Sequence, residues 1–159
     1  MTEDASFADG GEKPLRLHAV DVEDLKVLSA LIQDAVFPVA EMAYRPKERR
    51  FALLLNRFRW EDAPKAEQRK RPFERVQTML TFDDVMGVRS QGVSRDDAET
   101  VLSVLAVDFE AGEDGTGVIN LTLAGDGAIA LDVETIEAQL RDVTRPYVAP
   151  SKSQPKHPD

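Results

Sequence analysis

The sequence contains no cysteine. Disulfides, thiol catalysis and zinc–thiolate sites are thereby excluded, and the absence fits a reducing compartment. Histidine is scarce. His157 falls in a polar tail, which leaves His18 as the one imidazole placed for chemistry. Aromatic residues make up 6% of the chain, with a single tryptophan, Trp60. Long apolar runs are missing too: Phe51 to Leu55 is far shorter than the roughly 20 residues a bilayer span requires. The first residues, MTEDASFADGGEK, lack the basic start and apolar run of a signal peptide. The expectation is a cytoplasmic protein without membrane attachment.

Positive charge is in deficit overall, with a formal net charge of -9 and a pI near 4.8. Its distribution is uneven. Arg45 to Arg75 holds eleven Lys and Arg against five Asp and Glu, about +6, so the remainder carries about -15. A basic middle inside an acidic chain is the least ordinary feature of the composition.

What remains is ordinary for a globular protein: 159 residues, 42% hydrophobic and 31% charged. That fits one domain with a sizeable core. Residues 1–13 and 149–159 read as disordered tails, the first acidic with Gly10-Gly11, the second interrupted by three prolines. Residues 14–148 read as the domain.

Within it, Leu15 to Val20 forms a first strand with Leu15 and Leu17 on one face. Asp21 caps a helix over Val22 to Asp34, buried through Leu25, Leu28, Leu31 and Ile32. Val36 to Tyr44 follows as a strand, at an edge or bulged because Pro38 lies inside it. Arg45-Pro46-Lys47-Glu48 turns the chain. Along Arg50 to Trp60, Phe51, Leu53, Leu55, Arg57 and Arg59 share one face, and Ala52, Leu54, Asn56, Phe58 and Trp60 the other. Glu61 to Pro72 reads as a long charged loop. Arg75 to Phe82 and Val85 to Ser90 pair across an Asp83-Asp84 turn. Val101 to Phe109, Val118 to Leu123 and Ala128 to Leu131 complete the strands. Asp132 then caps a second helix carrying Val133, Ile136, Leu140 and Val143, ended by Pro146.

The fold class expected is α+β: a mostly antiparallel, curved sheet or partial barrel of seven or eight strands, one helix after the first strand and one closing C-terminal helix. That arrangement is similar to pleckstrin-homology-like barrels, an analogy of topology that carries no function.

LRLHAVDVEDLKVLSALIQDAV, AYRPKERRFALLLNRFRWE and RVQTMLTFDDVMGVRSQGV together resemble a family of small alphaproteobacterial proteins of unknown function. The resemblance covers about Leu15 to Thr144, and PKERRFALLLNRF at Pro46 to Phe58 is its most distinctive string. It implies a bacterial cytosolic protein and no particular activity.

The candidate binding surface is the basic middle. Arg45, Lys47, Arg49 and Arg50 cluster at a turn, Arg57 and Arg59 end the following strand, and Lys65, Arg69, Lys70 and Arg71 lie in the next loop. Phe58 and Trp60 interleave with them, and cations with aromatics are what single-stranded nucleic acid binding uses. The plainer reading is solubilising charge around two buried rings. His18, between Leu17 and Ala19, is an imidazole in a strand, more often a structural residue than a base or metal ligand. Asp83-Asp84, Asp96-Asp97 and Glu113-Asp114 suit turns, because adjacent strand side chains point apart. Gly112, Gly115 and Gly117 lack the lysine of a phosphate loop, and Ser29, Ser90, Ser94 and Ser103 lack a nucleophile elbow. No catalytic residue, metal or cofactor is assigned.

The favoured function is a non-catalytic binding or adaptor domain that engages an acidic protein partner through the basic hairpin or through a free strand edge near Pro38. A nucleic-acid- or anion-binding module using the same cations is the alternative, and a small enzyme with an unrecognised pocket is the third reading. Oligomeric state is not legible.

Overall fold

A computed structural model describes residues 13–62, 64, 68, 74–94 and 98–148. Its strands are β1 (Arg16–Ala19), β2 (Val36–Pro38), β3 (Met42–Arg45), β4 (Arg50–Phe58), β5 (Glu74–Phe82), β6 (Val85–Gln91), β7 (Val101–Ala111), β8 (Gly117–Leu123), β9 (Ala128–Val133), β10 (Ala138–Asp142) and β11 (Tyr147–Val148). The one α-helix delimited among the described residues, α1 (Val22–Leu31), joins β1 to β2. Asp21 caps it as expected, its Oδ1 accepting from the Asp24 N–H at 2.8 Å, and Asp24 Oδ2 accepts in return from the Val20 N–H. The first bond satisfies one of the amides that a helix start leaves open, and the second ties the residue before the cap to the first turn.

All eleven strands belong to one antiparallel sheet. Its main path runs β1-β10-β5-β4-β2-β7-β8-β9-β6, with β3 beside β4 and β11 beside β5. The ends of the path, β1 and β6, do not meet, so the sheet is not closed into a barrel. Eleven strands also exceed the seven or eight expected. Short β2 links two parts, β1-β10-β5-β4-β3 and β7-β8-β9-β6, and both contribute to one core. Phe51, Leu53, Leu80 and Leu140 from the first part join Val107, Ile119, Leu121 and Leu131 from the second, with Leu25 and Leu28 of α1 and Ile32 just after it.

The expected C-terminal helix is absent. Its residues instead finish β9 and form β10, which lies between β1 and β5. Ala138, Leu140 and Asp142 are buried while Gln139 and Arg141 are exposed, an alternation of period two. Ile136 and Leu140 fit a helical stripe equally well, but Val143, its last member, is exposed. Backbone bonds to two neighbouring strands decide the matter, and neither neighbour is near in sequence. The pleckstrin-homology-like arrangement, which needs that closing helix, falls with it.

Two smaller expectations also change. The strand across Val36 to Tyr44 breaks after Pro38 into a 3₁₀ turn, Val39–Glu41. The strand β2 is interior rather than an edge, paired with β4 at Val36 and with β7 from Val36 to Pro38. And β6 does not pair back on β5. Asp84, at φ 60°, sends the chain across to β9.

Candidate functional site

The β3–β4 hairpin forms as expected, with Arg45 directly opposite Arg50 and Arg49 at φ 56° closing the turn. Most of its cations already have partners. Arg50 Nε donates to Asp83 Oδ1 at 2.8 Å, which raises the Arg50 pKa above its usual value through that bond and the Asp83 charge. Arg49 pairs with Glu134 at 2.5 Å, and its carbonyl accepts from the Val85 N–H, so it ties β4 to the β6–β9 side of the molecule. Arg45 makes an exposed, looser pair with Glu48 at 3.5 Å.

Arg57, Arg59 and Trp60 sit elsewhere. The face assignment of β4 places Arg57 and Arg59 in line with Phe51, Leu53 and Leu55, and that face is the core. Arg57 is 0% exposed and Arg59 is 3% exposed. Arg57 donates through Nε and Nη2 to Asp142, through Nη1 and Nη2 to Glu61 at 2.9 Å each, and through Nε to Thr78. Arg59 pairs with Glu74. Burial lowers the Arg57 pKa, but Glu61 and Asp142 outweigh it and the net direction is up. Burial likewise pushes the Glu61 carboxyl up, and Arg57 more than reverses this, leaving it below its usual range. Phe58 is buried and meets Trp60 edge-on at 4.7 Å, while the Trp60 indole N–H donates to the Gln33 carbonyl at the end of α1. These side chains are occupied in packing. Lys65, Arg69, Lys70 and Arg71 lie outside the described residues.

The more open surface is the outer face of β1-β10-β5-β4-β3. Strand register sets its rows. One row runs Arg16, Arg141, Met79, Leu54; the next runs His18, Gln139, Thr81, Ala52, Ala43; beyond it stand Arg50 and Arg45. At about 4.8 Å per strand, the first row spans about 14 Å. Shallow depressions of about 270, 180 and 440 Å³ lie along the face, the first between β1 and β10 and the largest over Ala52, Leu54 and Met79. Arg16 and Arg141 are exposed, and among the described residues neither side chain has a hydrogen bond or an ion pair. Farther along the same face, Asn56 and Tyr147 hydrogen-bond each other, while Asn56 Oδ1 and Arg75 Nη1 are buried without partners among the described residues.

Sequence reasoning missed Arg16 and Arg141. The alternation that puts Leu15 and Leu17 on one face leaves Arg16 and His18 on the other, so half of the signal was present. Arg141 was hidden by the helix assignment. His18 is exposed and pairs with Glu137. Asp83 serves Arg50, and Asp84 and Asp114 occupy turn positions at positive φ. No group of three or more potential metal ligands gathers among the described residues, and none of their helices is long and apolar enough to cross a membrane.

A family model described as "Protein of unknown function (DUF2948)" matches residues 15–157, and the chain belongs to that family. No curated protein and no solved structure matches it.

Proposed function

We propose that this member of an uncharacterised family is a non-catalytic binding domain whose outer sheet face engages an acidic segment of a partner protein. The alphaproteobacterial cytoplasm implied by the sequence resemblance is the setting of this reading. The observation that carries it is the row Arg16, Arg141, Met79, Leu54, which sets two cations that have no ion-pair partner among the described residues beside two half-buried apolar side chains. A segment with carboxylates next to one apolar anchor matches that row in charge and in hydrophobicity. Such a pairing of charge steering with a small apolar contact is how polar interfaces gain specificity. The basic hairpin contributes Arg45 and Lys47 at the far end of the face. Arg49, Arg50 and Arg57 contribute to the fold that holds it.

The nucleic-acid alternative drew on interleaved aromatics, and those rings are engaged in packing. The two rows of the outer face hold no Phe, Trp or Tyr, and Tyr147 farther along is hydrogen-bonded to Asn56.

The test is amide chemical-shift mapping with acidic peptides that carry one leucine. Shifts are expected on β10, β5 and β4 at outward positions, with affinity falling as salt rises. A Lys47→Glu, Arg141→Glu variant that binds the peptides unchanged would remove the reading. Preferential binding of single-stranded oligonucleotides, with a steep salt slope, would replace it with the alternative.

A further inference from the structure

We propose that Arg16 and Arg141 together form a receptor for a phosphate monoester carried on a side chain of the acidic partner. This deepens the preceding reading and rests on it.

The two arginines are direct cross-strand partners. The Asp142 N–H donates to the Leu15 carbonyl at 3.0 Å, which makes Leu15 and Asp142 the hydrogen-bonded pair. Arg16 and Arg141 are therefore the adjacent non-hydrogen-bonded pair, the arrangement in which Cα atoms approach to about 4.5 Å and side chains come closest. Like charges at that spacing repel, and a sheet normally avoids them. Among the described residues no carboxylate pairs with either arginine to relieve the repulsion. The acids nearby are taken: Glu137 by His18, and Asp83 by Arg50.

Between the two guanidinium-bearing strands lies the depression of about 270 Å³, whose lining includes His18 and Gln139. Two guanidinium groups offer two forks and two positive charges. A lone carboxylate would neutralise only one of them. A phosphate monoester carries about -1.5 to -2 near pH 7 and presents three acceptor oxygens, so it matches both charges and leaves an oxygen for the Gln139 amide.

A side chain is favoured over a free ion as the carrier because the row continues. Met79 and Leu54 lie one and two strands beyond Arg141. The distance from the arginine pair to that apolar patch is about 10 Å, which an extended peptide covers in about three residues. The ligand is thus a phosphorylated residue with an apolar residue two to four positions away.

The experiment titrates the full chain with a peptide holding phosphoserine and a leucine three positions on. The same peptide with serine, and inorganic phosphate alone, are titrated beside it, each against wild type and against Arg16→Gln, Arg141→Gln. That variant relieves like-charge repulsion and leaves the core untouched, so it is expected to fold. The phosphopeptide should bind about tenfold or more tighter than the serine peptide, shift the amides of Arg16, Gln139 and Arg141, and lose the advantage in the variant. Equal affinity for the two peptides would overturn the phosphate receptor while leaving the acidic-partner reading in place. A phosphate preference retained in the variant would also overturn it. Inorganic phosphate binding as tightly as the phosphopeptide would overturn the side-chain carrier. Failure of every peptide would remove the partner reading itself, and this inference with it.

Discussion

Arg57 and Asp142, 85 positions apart, meet in the core with their side chains 0% and 2% exposed and Nη2 3.0 Å from Oδ1. The carboxylate is fully engaged, accepting also from Thr78 Oγ1 and from the Leu15 N–H at 2.8 Å each. One ion pair thereby joins β4, β5 and β10 to the start of β1.

The consequence for stability is asymmetric. Arg57→Met leaves the Asp142 carboxylate buried without a cation and should cost about 3–5 kcal/mol, whereas Asp142→Leu leaves Arg57 its two bonds to Glu61 and should cost less. The two substitutions combined should cost less than their sum, because neither of these two charges is then left buried opposite an apolar side chain. Urea unfolding of the four proteins measures the coupling. Single variants that lose less than about 1 kcal/mol would mean the pair behaves as a surface one.

Acid should weaken the same region. Arg57 holds the Glu61 carboxyl below its usual range. A carboxylate with a depressed folded pKa adds stability that is fully present above its unfolded value of about 4.3 and is lost as pH falls through the lower folded value. The melting temperature of Glu61→Gln should therefore fall less steeply than that of wild type between about pH 5 and pH 3. Parallel melting curves would show that Glu61 is not coupled to folding.

Gly117, at the start of β8, has no room for a side chain. A Cβ there would lie within 2.6 Å of the Phe109 ring and would also press on the Glu110 carbonyl. Gly117→Ala should destabilise by about 1–3 kcal/mol through this overpacking. Gly115→Ala places its methyl in open space, although at φ 84° it is strained in its backbone instead. A Gly117→Ala, Phe109→Leu double variant should recover part of the loss, and chemical denaturation would show it.

The basic hairpin should divide into structural and dispensable cations. Arg49→Glu sets a carboxylate against Glu134 at a contact that links two parts of the sheet. It should lower the melting temperature more than Lys47→Glu, which at an exposed turn is expected to stay within about 0.5 kcal/mol of wild type. Equal effects from the two reversals would dissolve the distinction. The same reasoning makes Lys47 and Arg141 better probes of binding than Arg49 and Arg50, whose reversal also disturbs the fold.

Much of this was legible wherever a strand's pattern belonged to it alone. The alternation along β4 assigned both faces correctly, the Asp21 cap started α1, and Pro46 with Lys47 and Glu48 marked the hairpin turn. Less was legible where polarity and position disagreed. Arg57 was placed on the same face as Leu53, yet its charge argued for solvent, because nothing near it in sequence reveals the Asp142 that compensates it.

The sequence by itself determined the local and the compositional: an α+β chain, cysteine-free, with a basic middle, a capped first helix and antiparallel strands joined by turns. These follow from side-chain periodicity and turn chemistry, which act over a few residues. Tertiary structure alone decided that residues 138–142 are a strand between β1 and β5, that Arg57 and Arg59 face inward, and that Arg16 stands opposite Arg141. Each of those depends on hydrogen bonds or charges contributed from distant positions, whose effect exists only once the chain has brought them together.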